Sequence, residues 1–262
     1  MSELGKRIRL KRIFGHPSGR ILSVAVDHLI NYSTGLPPAL RAMEHTLREC
    51  VRGRPNALTM NKGIAMRYGH LFAGIVPLIV QSMALRPDET EFADSATAAE
   101  AAAMGADAIA VALFVHCPLE IRYLRHLSAV VRDAERVGLP VIPHIYPLSS
   151  GDEKHTVAHD PEAVFYAVRA GLEMGADVIK VPYTGDIASF RDIVAATPVP
   201  VVCAGGPRCE TLEDAECMVR EVVAAGAAGA TVGRNVWGFP DIPSAIERLK
   251  AAAFGEPQRQ VH

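Results

Sequence analysis

Lys180 lies inside a short apolar run, residues 178–181, whose β-branched composition is typical of a buried strand. An ammonium group is costly to bury among apolar side chains, and burial lowers its pKa. A lysine in that state is a nucleophilic amine that can form a Schiff base with a carbonyl. The structural alternative is that Lys180 ends the strand and reaches solvent, or that it pairs with Asp177 or Asp186.

Polar side chains also stand at the ends of other β-type runs. These positions hold Asp27, His28, Asn61, Lys62, Gln81, Ser82, His144 and Tyr146. If the runs end on the same side of one sheet, an acid, a tyrosine and a lysine come together there. We interpret Asp27, Tyr146 and Lys180 as a cluster that joins acid–base capacity to a nucleophile.

The segments that must position these groups alternate between β-type and helical patterns. The β-type runs cover 21–26, 57–60, 76–81, 108–113, 141–146, 178–181, 200–204 and 230–232. The helical patterns cover 37–51, 95–104, 118–137, 161–174, 187–196, 211–225 and 242–252. Between residues 60 and 76, Gly63 and Gly69 predict an irregular, only partly helical link.

Eight β/α units in about 250 residues predict an α/β protein with a single (β/α)8 TIM barrel, in which the C-terminal strand ends share one face. An open, doubly wound sheet is the competing fold. No Gly-x-Gly-x-x-Gly follows the first strand, however, which disfavours that fold. We expect one domain over residues 1–262, with a short lead-in at 1–20 and a frayed tail at 255–262.

Two glycine-containing loops follow the last two predicted strands, Gly205-Gly206 and Gly233-Arg234. In barrels of this kind, phosphate groups commonly bind to the loops after strands 7 and 8. Exposed backbone N–H groups and the bidentate guanidinium of Arg234 suit a phosphate. The alternative is that the glycines only serve tight turns. We expect a phosphorylated small molecule as the ligand.

Composition excludes several classes of protein. With 49% hydrophobic residues, 21% charged residues and a net charge of −2, the chain is not expected to bind nucleic acid. The basic stretch at 6–12 predicts a solvated helix rather than a binding arm. The sequence has no signal peptide and no apolar run of 18 residues, so we expect a cytoplasmic protein without membrane contact. Five cysteines without a Cys-x-x-Cys pair predict reduced thiols.

Several of these motifs occur together in one known family. Asp27-His28, Tyr146-Pro147, Gly-Ala-Asp-Val-Ile-Lys180, Ala204-Gly-Gly-Pro207 and Gly233-Arg-Asn235 resemble, in order and spacing, the archaeal-type class I fructose-bisphosphate aldolases and their relatives. The resemblance runs from about residue 9 to residue 252. It implies a barrel enzyme that forms Schiff bases without a metal or another cofactor, and a homo-oligomer of five or ten copies.

The resemblance also implies roles for individual residues. Lys180 would form the Schiff base, Tyr146 would be the acid/base and Asp27 a carboxylate near the reacting carbons. Gly205, Gly206, Gly233 and Arg234 would hold the phosphate. Tyr146 would take the proton of the C4 hydroxyl during cleavage, with a pKa lowered by the lysine cation, and Asp27 would assist carbinolamine formation or orient a substrate hydroxyl.

Three further residues bear on the substrate. Leu148 and Ser149 follow Tyr146-Pro147, where aldolases of this type often carry an arginine and a glycine, and His144 stands where some carry a tryptophan. A missing arginine removes a partner for a second phosphate. We therefore expect a monophosphorylated ketose, or dihydroxyacetone phosphate with a less charged aldehyde.

Other functions remain open at this point. Relatives of the family include a heptulosonate synthase with transaldol chemistry and a thiolase that processes a phosphorylated quorum signal. A barrel that binds a phosphorylated ligand without catalysis is a further alternative.

Among the histidines, only His28 and His144 stand at strand ends, so no metal site is expected, and a supporting role is expected for His28. The loop at 149–160, with His155 and His159, is long enough to act as a lid.

Overall fold

The computed structural model describes residues 2–28, 35–86, 91–149 and 156–255. Its strands are β1 Ile21–Ala25, β2 Ala57–Asn61, β3 Leu78–Gln81, β4 Met83–Ala84, β5 Ala93–Asp94, β6 Ala108–Val115, β7 Val141–Pro147, β8 Ile179–Val181, β9 Val201–Ala204 and β10 Gly229–Val232. All except β4 and β5 form a closed parallel barrel in the order β1-β10-β9-β8-β7-β6-β3-β2. The (β/α)8 barrel predicted from the sequence is thereby confirmed.

Helices surround this barrel. They are α1 Ser2–Ile13, α2 Pro38–Arg41, α3 Met43–Gly53, α4 Lys62–Phe72, α5 Ala98–Ala103, α6 Glu120–Val137, α7 Pro161–Glu173, α8 Ile187–Ala195, α9 Leu212–Ala224, α10 Arg234–Trp237 and α11 Ile242–Phe254. Several begin at an N-cap whose side chain accepts a backbone N–H, as Asp160 does at α7 and Asp186 at α8. Within the described ranges, no helix is both long enough and apolar enough to cross a membrane.

Two expectations about local structure are wrong, and one local feature was not predicted. The link after β2 is not irregular, because the helix α4 contains both Gly63 and Gly69 and buries Leu71 and Phe72. The helix predicted at 37–51 is two helices, interrupted at Ala42 with φ −100° and ψ 55°. The short antiparallel pair β4–β5 was not predicted, since strands of two residues carry no periodic pattern.

The N-terminal helix α1 is more than a solvated lead-in, because it covers the N-terminal end of the barrel. Ile13 is fully buried there, and Leu10 and Phe14 pack against the same apolar cluster inside the barrel. Val178, two residues before Lys180, belongs to this cluster. Helix α1 therefore closes the end of the barrel opposite to the strand ends that carry the predicted chemistry.

Candidate active site

A cavity of about 630 Å³ lies at the C-terminal ends of the barrel strands. The nine residues singled out from the sequence all line it: Asp27, His28, His144, Tyr146, Lys180, Gly205, Gly206, Gly233 and Arg234. They come from five strands and the loops after them. The closed barrel therefore brings Lys180, Asp27, Tyr146 and the glycine loops to one space, as expected of this architecture.

Lys180 is only 6% exposed and points into this cavity from β8. Burial lowers its pKa from 10.5 to about 8, although the nearby carboxylate of Asp27 acts in the opposite direction. The partners proposed in the structural alternative are engaged elsewhere. Asp177 forms a salt bridge with Lys6, and Asp186 accepts the N–H of Ser189 at the start of α8. The lysine is thus buried without either of the ion pairs that the alternative requires.

Asp27 and His28 lie at the end of β1, where the chain leaves the barrel. The side chain of Asp27 is 8% exposed and accepts a hydrogen bond from Nε2 of Gln81 at 3.2 Å. Burial lowers the pKa of His28 to about 4, and the cations of Lys180 and Arg234 act in the same direction, against the pull of Asp27. The His28 imidazole is therefore neutral at pH 7 and packs edge-on against Trp237, with ring centroids 5.1 Å apart.

Tyr146 lies two residues after His144 on the same face of β7, beside Phe114, whose ring centroid is 6.2 Å away. Its pKa is raised above the usual 10, first by burial and then by the carboxylate of Asp27, while Arg234 opposes the shift. The expectation of a pKa lowered by the lysine cation is therefore wrong, because desolvation of the phenolate is the larger effect. The phenol is protonated at neutral pH and can donate.

The glycine loops after β9 and β10 are tied to each other. Arg234 donates from Nη2 to the carbonyl of Gly206 at 2.9 Å, and Nδ2 of Asn235 donates to the carbonyl of Gly205 at 2.7 Å. Gly206 has φ +65°, a conformation that favours glycine. The N–H of Gly205 donates to the carbonyl of Thr231 at 2.9 Å. That one group is therefore used inside the barrel and is not open to a ligand, contrary to expectation.

Gly233 is required for close approach rather than for its own dihedral angles. A Cβ at this position would lie 2.8 Å from Nε2 of His28 and 2.9 Å from the carbonyl oxygen of Ala25. Both distances are shorter than van der Waals contact. The missing side chain lets the loop after β10 pack against the end of β1, which brings Arg234 and Asp27 to the same cavity.

The model of the DeoC/LacD family aldolases matches residues 21–238, which include all of the barrel strands. The chain belongs to this aldolase family. It is 35% identical over 242 residues to 2-amino-3,7-dideoxy-D-threo-hept-6-ulosonate synthase of Halobacterium salinarum, covering 90% of this chain and 87% of the relative. It is 32% identical over 251 residues to the class 1 fructose-bisphosphate aldolase of Thermoproteus tenax, covering 93% of each chain.

Solved structures place this aldolase beside the archaeal enzymes. An archaeal fructose 1,6-bisphosphate aldolase matches with a TM-score of 0.84 and 30% identity, over 95% of this chain and 99% of that chain. A second structure shows an archaeal aldolase with its catalytic lysine covalently bound to the carbinolamine intermediate of its substrate. It has a TM-score of 0.84 and 29% identity, over 95% of this chain and 100% of that chain. The chain is thus a class I, Schiff-base aldolase, and the resemblance stated from its motifs is confirmed.

Several residues that line the cavity of this aldolase escaped the sequence reasoning. They are Ala25, Leu85, Ala112, Phe114, Thr156, Val157, Pro182 and Thr231. Most are apolar or small and carry no motif. Gln81 was noted only as a strand end, yet it hydrogen-bonds Asp27. A fully buried polar side chain at the end of a barrel strand was the signal that could have found it.

The loop predicted as a lid is only partly described. Leu148 and Val157 form an antiparallel bridge, so the chain returns toward the barrel after the end of β7. His159 lines the cavity, and its Nδ1 lies 2.7 Å from the carbonyl oxygen of Tyr183. His155 and the tail at 256–262 lie outside the described residues. Within the described ranges, no group of three or more His, Cys, Asp or Glu side chains could hold a metal ion.

Proposed function

We propose that this aldolase forms a Schiff base between Lys180 and a ketone that carries one phosphate, and that it makes or breaks the C–C bond next to the imine. The observation that carries the proposal is the amine of Lys180, buried in the cavity with a pKa lowered to about 8. At pH 7 such an amine is neutral in about one molecule in ten, against about one in three thousand for a lysine with the usual pKa.

The residues around Lys180 support the individual steps. The neutral amine attacks the ketone carbon, the carbinolamine loses water, and the resulting iminium accepts the electrons of the breaking C–C bond as an enamine. Tyr146 holds its proton at neutral pH, so its resting state suits donation to the alkoxide that forms when the bond is made. Asp27 is close enough to Lys180 to raise the pKa of the lysine, and so to assist proton transfers at the carbinolamine.

The phosphate would bind at the glycine loops, next to Arg234. Support comes from the guanidinium of Arg234 at the cavity wall and from the hydrogen bonds that join the loops after β9 and β10. Among the described residues, the side chains lining the opposite wall, after β3 and on β6, are the apolar Leu85, Ala112 and Phe114 and the neutral Gln81. An apolar wall suits an aldehyde partner without a phosphate of its own.

The names of relatives support a phosphorylated substrate but differ in the reaction. One is a fructose-bisphosphate aldolase, another a hept-6-ulosonate synthase, and a third, 28% identical over 247 residues, is the 2-amino-4,5-dihydroxy-6-oxo-7-(phosphonooxy)heptanoate synthase of Streptomyces griseus. The second candidate is the transaldol reaction implied by the resemblance, in which a ketone unit passes from a phosphorylated ketose to another aldehyde, and the two synthase names favour the direction of bond formation. Both candidates use Lys180 in the same way.

Borohydride trapping with dihydroxyacetone phosphate, followed by peptide mass spectrometry, tests the proposal. We expect a reduced adduct on Lys180, none in Lys180→Met, and an unchanged adduct in Lys11→Met, which removes a lysine from α1 at the opposite end of the barrel. Absence of an adduct on any lysine of a folded protein, with a panel of ketose phosphates, would refute the mechanism. An aldehyde panel with and without phosphate then separates the candidates, and faster turnover of phosphorylated aldehydes would contradict the apolar wall.

A further inference from the structure

Gln81 is fully buried at the end of β3, between two residues of the candidate site. Its Nε2 lies 3.2 Å from Oδ2 of Asp27 and 3.4 Å from Nδ1 of His144. These two partners come from β7 and from the chain just after β1. The single amide group therefore links the carboxylate and the imidazole across the barrel interior.

The orientation of this amide is decided by its neighbours. The backbone N–H of Met83 donates to Oε1 of Gln81 at 3.2 Å, and a carboxylate such as that of Asp27 can only accept. Rotating the amide by half a turn would place two donors face to face at Met83 and two acceptors face to face at Asp27. The NH2 group of Gln81 therefore faces both Asp27 and His144.

This orientation fixes the proton on His144. A donor faces Nδ1, so Nδ1 must accept, and the ring proton of a neutral imidazole must then lie on Nε2. Burial and the neighbouring Lys180 also lower the pKa of His144 well below its usual range, which excludes the doubly protonated ring at neutral pH. Within the described parts of the chain, Nε2 has no hydrogen-bond partner, and the side chain lines the cavity.

His144 also lies beside the nucleophile. Its Cα is the register partner of the Cα of Lys180 in the adjacent parallel strand, and both side chains point into the cavity. An N–H group at this place is close to the oxygen atoms of any ketone that Lys180 attacks. A donated hydrogen bond there polarises the carbonyl before attack and stabilises the carbinolamine oxygen after it.

We propose that His144 is a neutral hydrogen-bond donor to a ketone oxygen through Nε2–H, and that Gln81 is the positioning residue that fixes this tautomer while holding Asp27. The ketone oxygen as acceptor rests on the proposed function. The tautomer itself does not, since it follows from the ligand-free protein. His144 transfers no proton in this role, so no base or acid besides those already named is needed.

Nuclear magnetic resonance of protein labelled with 15N-histidine tests the tautomer without any substrate. We expect a pyridine-type signal for Nδ1 and a pyrrole-type signal for Nε2 of His144, assigned by their loss in His144→Gln. In Gln81→Met the amide donor is removed, so Nδ1 no longer faces an N–H group, and we expect both neutral tautomers of His144 to become populated. Asn61→Leu is the matched control, since it removes the same kind of amide group at the neighbouring strand end, and it should leave His144 unchanged.

A wild-type His144 protonated on Nδ1 would overturn the proposal, and an unchanged tautomer in Gln81→Met would remove Gln81 from the positioning role. The wild-type spectrum decides which nitrogen carries the proton even if that variant does not fold.

Kinetics test the donor role of His144. His144→Gln keeps an N–H near the position of Nε2 and should retain kcat within about threefold, whereas His144→Leu should lose roughly tenfold, the value of about one hydrogen bond. Equal losses in both variants would contradict donation.

Failure of the proposed function gives a different pattern. If no ketone is trapped on Lys180, the proposed function is wrong, and the tautomer of His144 is still measured on the free protein. If Lys180 is trapped while His144→Leu turns over at the wild-type rate, the aldolase assignment stands and the donor role of His144 is wrong.

Discussion

The ammonium group of Lys6 in α1 lies 2.9 Å from Oδ2 of Asp177, three residues before Lys180. The same carboxylate oxygen accepts the backbone N–H of Val141 at 2.9 Å, at the first residue of β7. One aspartate thus joins the N-terminal helix to the starts of the strands that carry Lys180, His144 and Tyr146. The bridge is mostly buried, with 15% and 18% of the two side chains exposed.

We expect Asp177→Ala to lower the free energy of unfolding by about 2–3 kcal/mol. The substitution removes a partly buried charge pair and leaves the N–H of Val141 without its acceptor. Denaturant titration measures this loss. Lys6→Met removes the cation but keeps the hydrogen bond from Val141 to Asp177, so it should cost less, about 1 kcal/mol. A stability of Asp177→Ala equal to that of Lys6→Met would show that the hydrogen bond to Val141 contributes nothing.

The pH dependence of kcat/KM should follow the neutral amine of Lys180. Because its pKa is lowered to about 8, the rate should rise with pH up to about 8 and then level off, whereas an ordinary lysine would keep rising toward 10.5. Asp27 raises this pKa, so Asp27→Asn should move the midpoint of the profile to lower pH, whatever it does to the maximum rate. A midpoint near 10.5 in the wild type would contradict the burial argument.

Stability should respond to pH through the same residue. The pKa of Lys180 is lower in the folded than in the unfolded chain, so the unfolded chain binds more protons between pH 8 and pH 10.5. Relative to Lys180→Met, the wild type should therefore gain stability as pH rises through this window, by at most about 3 kcal/mol. Denaturant titrations of both proteins at several pH values measure the difference. A constant difference would place the ammonium in a solvated environment.

Removal of the Tyr146 hydroxyl should separate the two halves of the reaction. We expect Tyr146→Phe to lower the rate of C–C bond making or breaking by about a hundredfold or more, the range of general acid–base catalysis, while Lys180 is still trapped by borohydride. Single-turnover kinetics with a ketose phosphate measure C–C bond cleavage, and the yield of the borohydride-reduced adduct measures Schiff-base formation. Equal loss of both would remove Tyr146 from the proton-transfer role.

Arg234 should control recognition of the phosphate rather than the chemistry. Arg234→Gln is expected to raise the KM for a phosphorylated ketone by about tenfold or more and to change the KM of its unphosphorylated analogue little. Arg208→Gln is the control. Arg208 lies in the loop after β9 but packs its guanidinium over Phe239, 4.7 Å from the ring centroid, and does not line the cavity. A similar rise of KM in both variants would indicate a general disturbance of the loops.

Much of the barrel could be predicted because its strands are short β-branched runs separated by amphipathic helices. Helix α4 could not. Gly63 and Gly69 are ordinary signals of a break, but each costs a helix only about 1 kcal/mol, which the burial of Leu71 and Phe72 can offset. The role of α1 was also out of reach, since its apolar residues at 10, 13 and 14 meet their partners only after the barrel has closed.

The candidate site also contains features that could be predicted from the sequence and features that could not. Lys180 and Asp27 could be predicted to meet because all parallel strands of a barrel end on one face. Gln81 could be placed only at a strand end, because the sequence does not show which of the polar groups on that face its amide contacts. The pKa of Tyr146 was misjudged because the sequence gives the neighbouring charges but not the depth of burial. The homo-oligomer expected from the resemblance stays a prediction.

Leu10 and Ile13 of α1, with Phe14 just after it, close one end of the barrel, and this closure affects how ligands enter as well as how the core packs. The barrel is therefore closed at its N-terminal end by apolar side chains, and ligands enter and leave the cavity at the C-terminal ends of the strands. Under the proposed function, a ketone bound as an imine to Lys180 cannot leave until the imine is hydrolysed, so its aldehyde partner must arrive second and depart first through the same opening. A cavity with this opening and a covalently bound ketone predicts an ordered kinetic mechanism, with the ketone as the first reactant to enter and the last to leave.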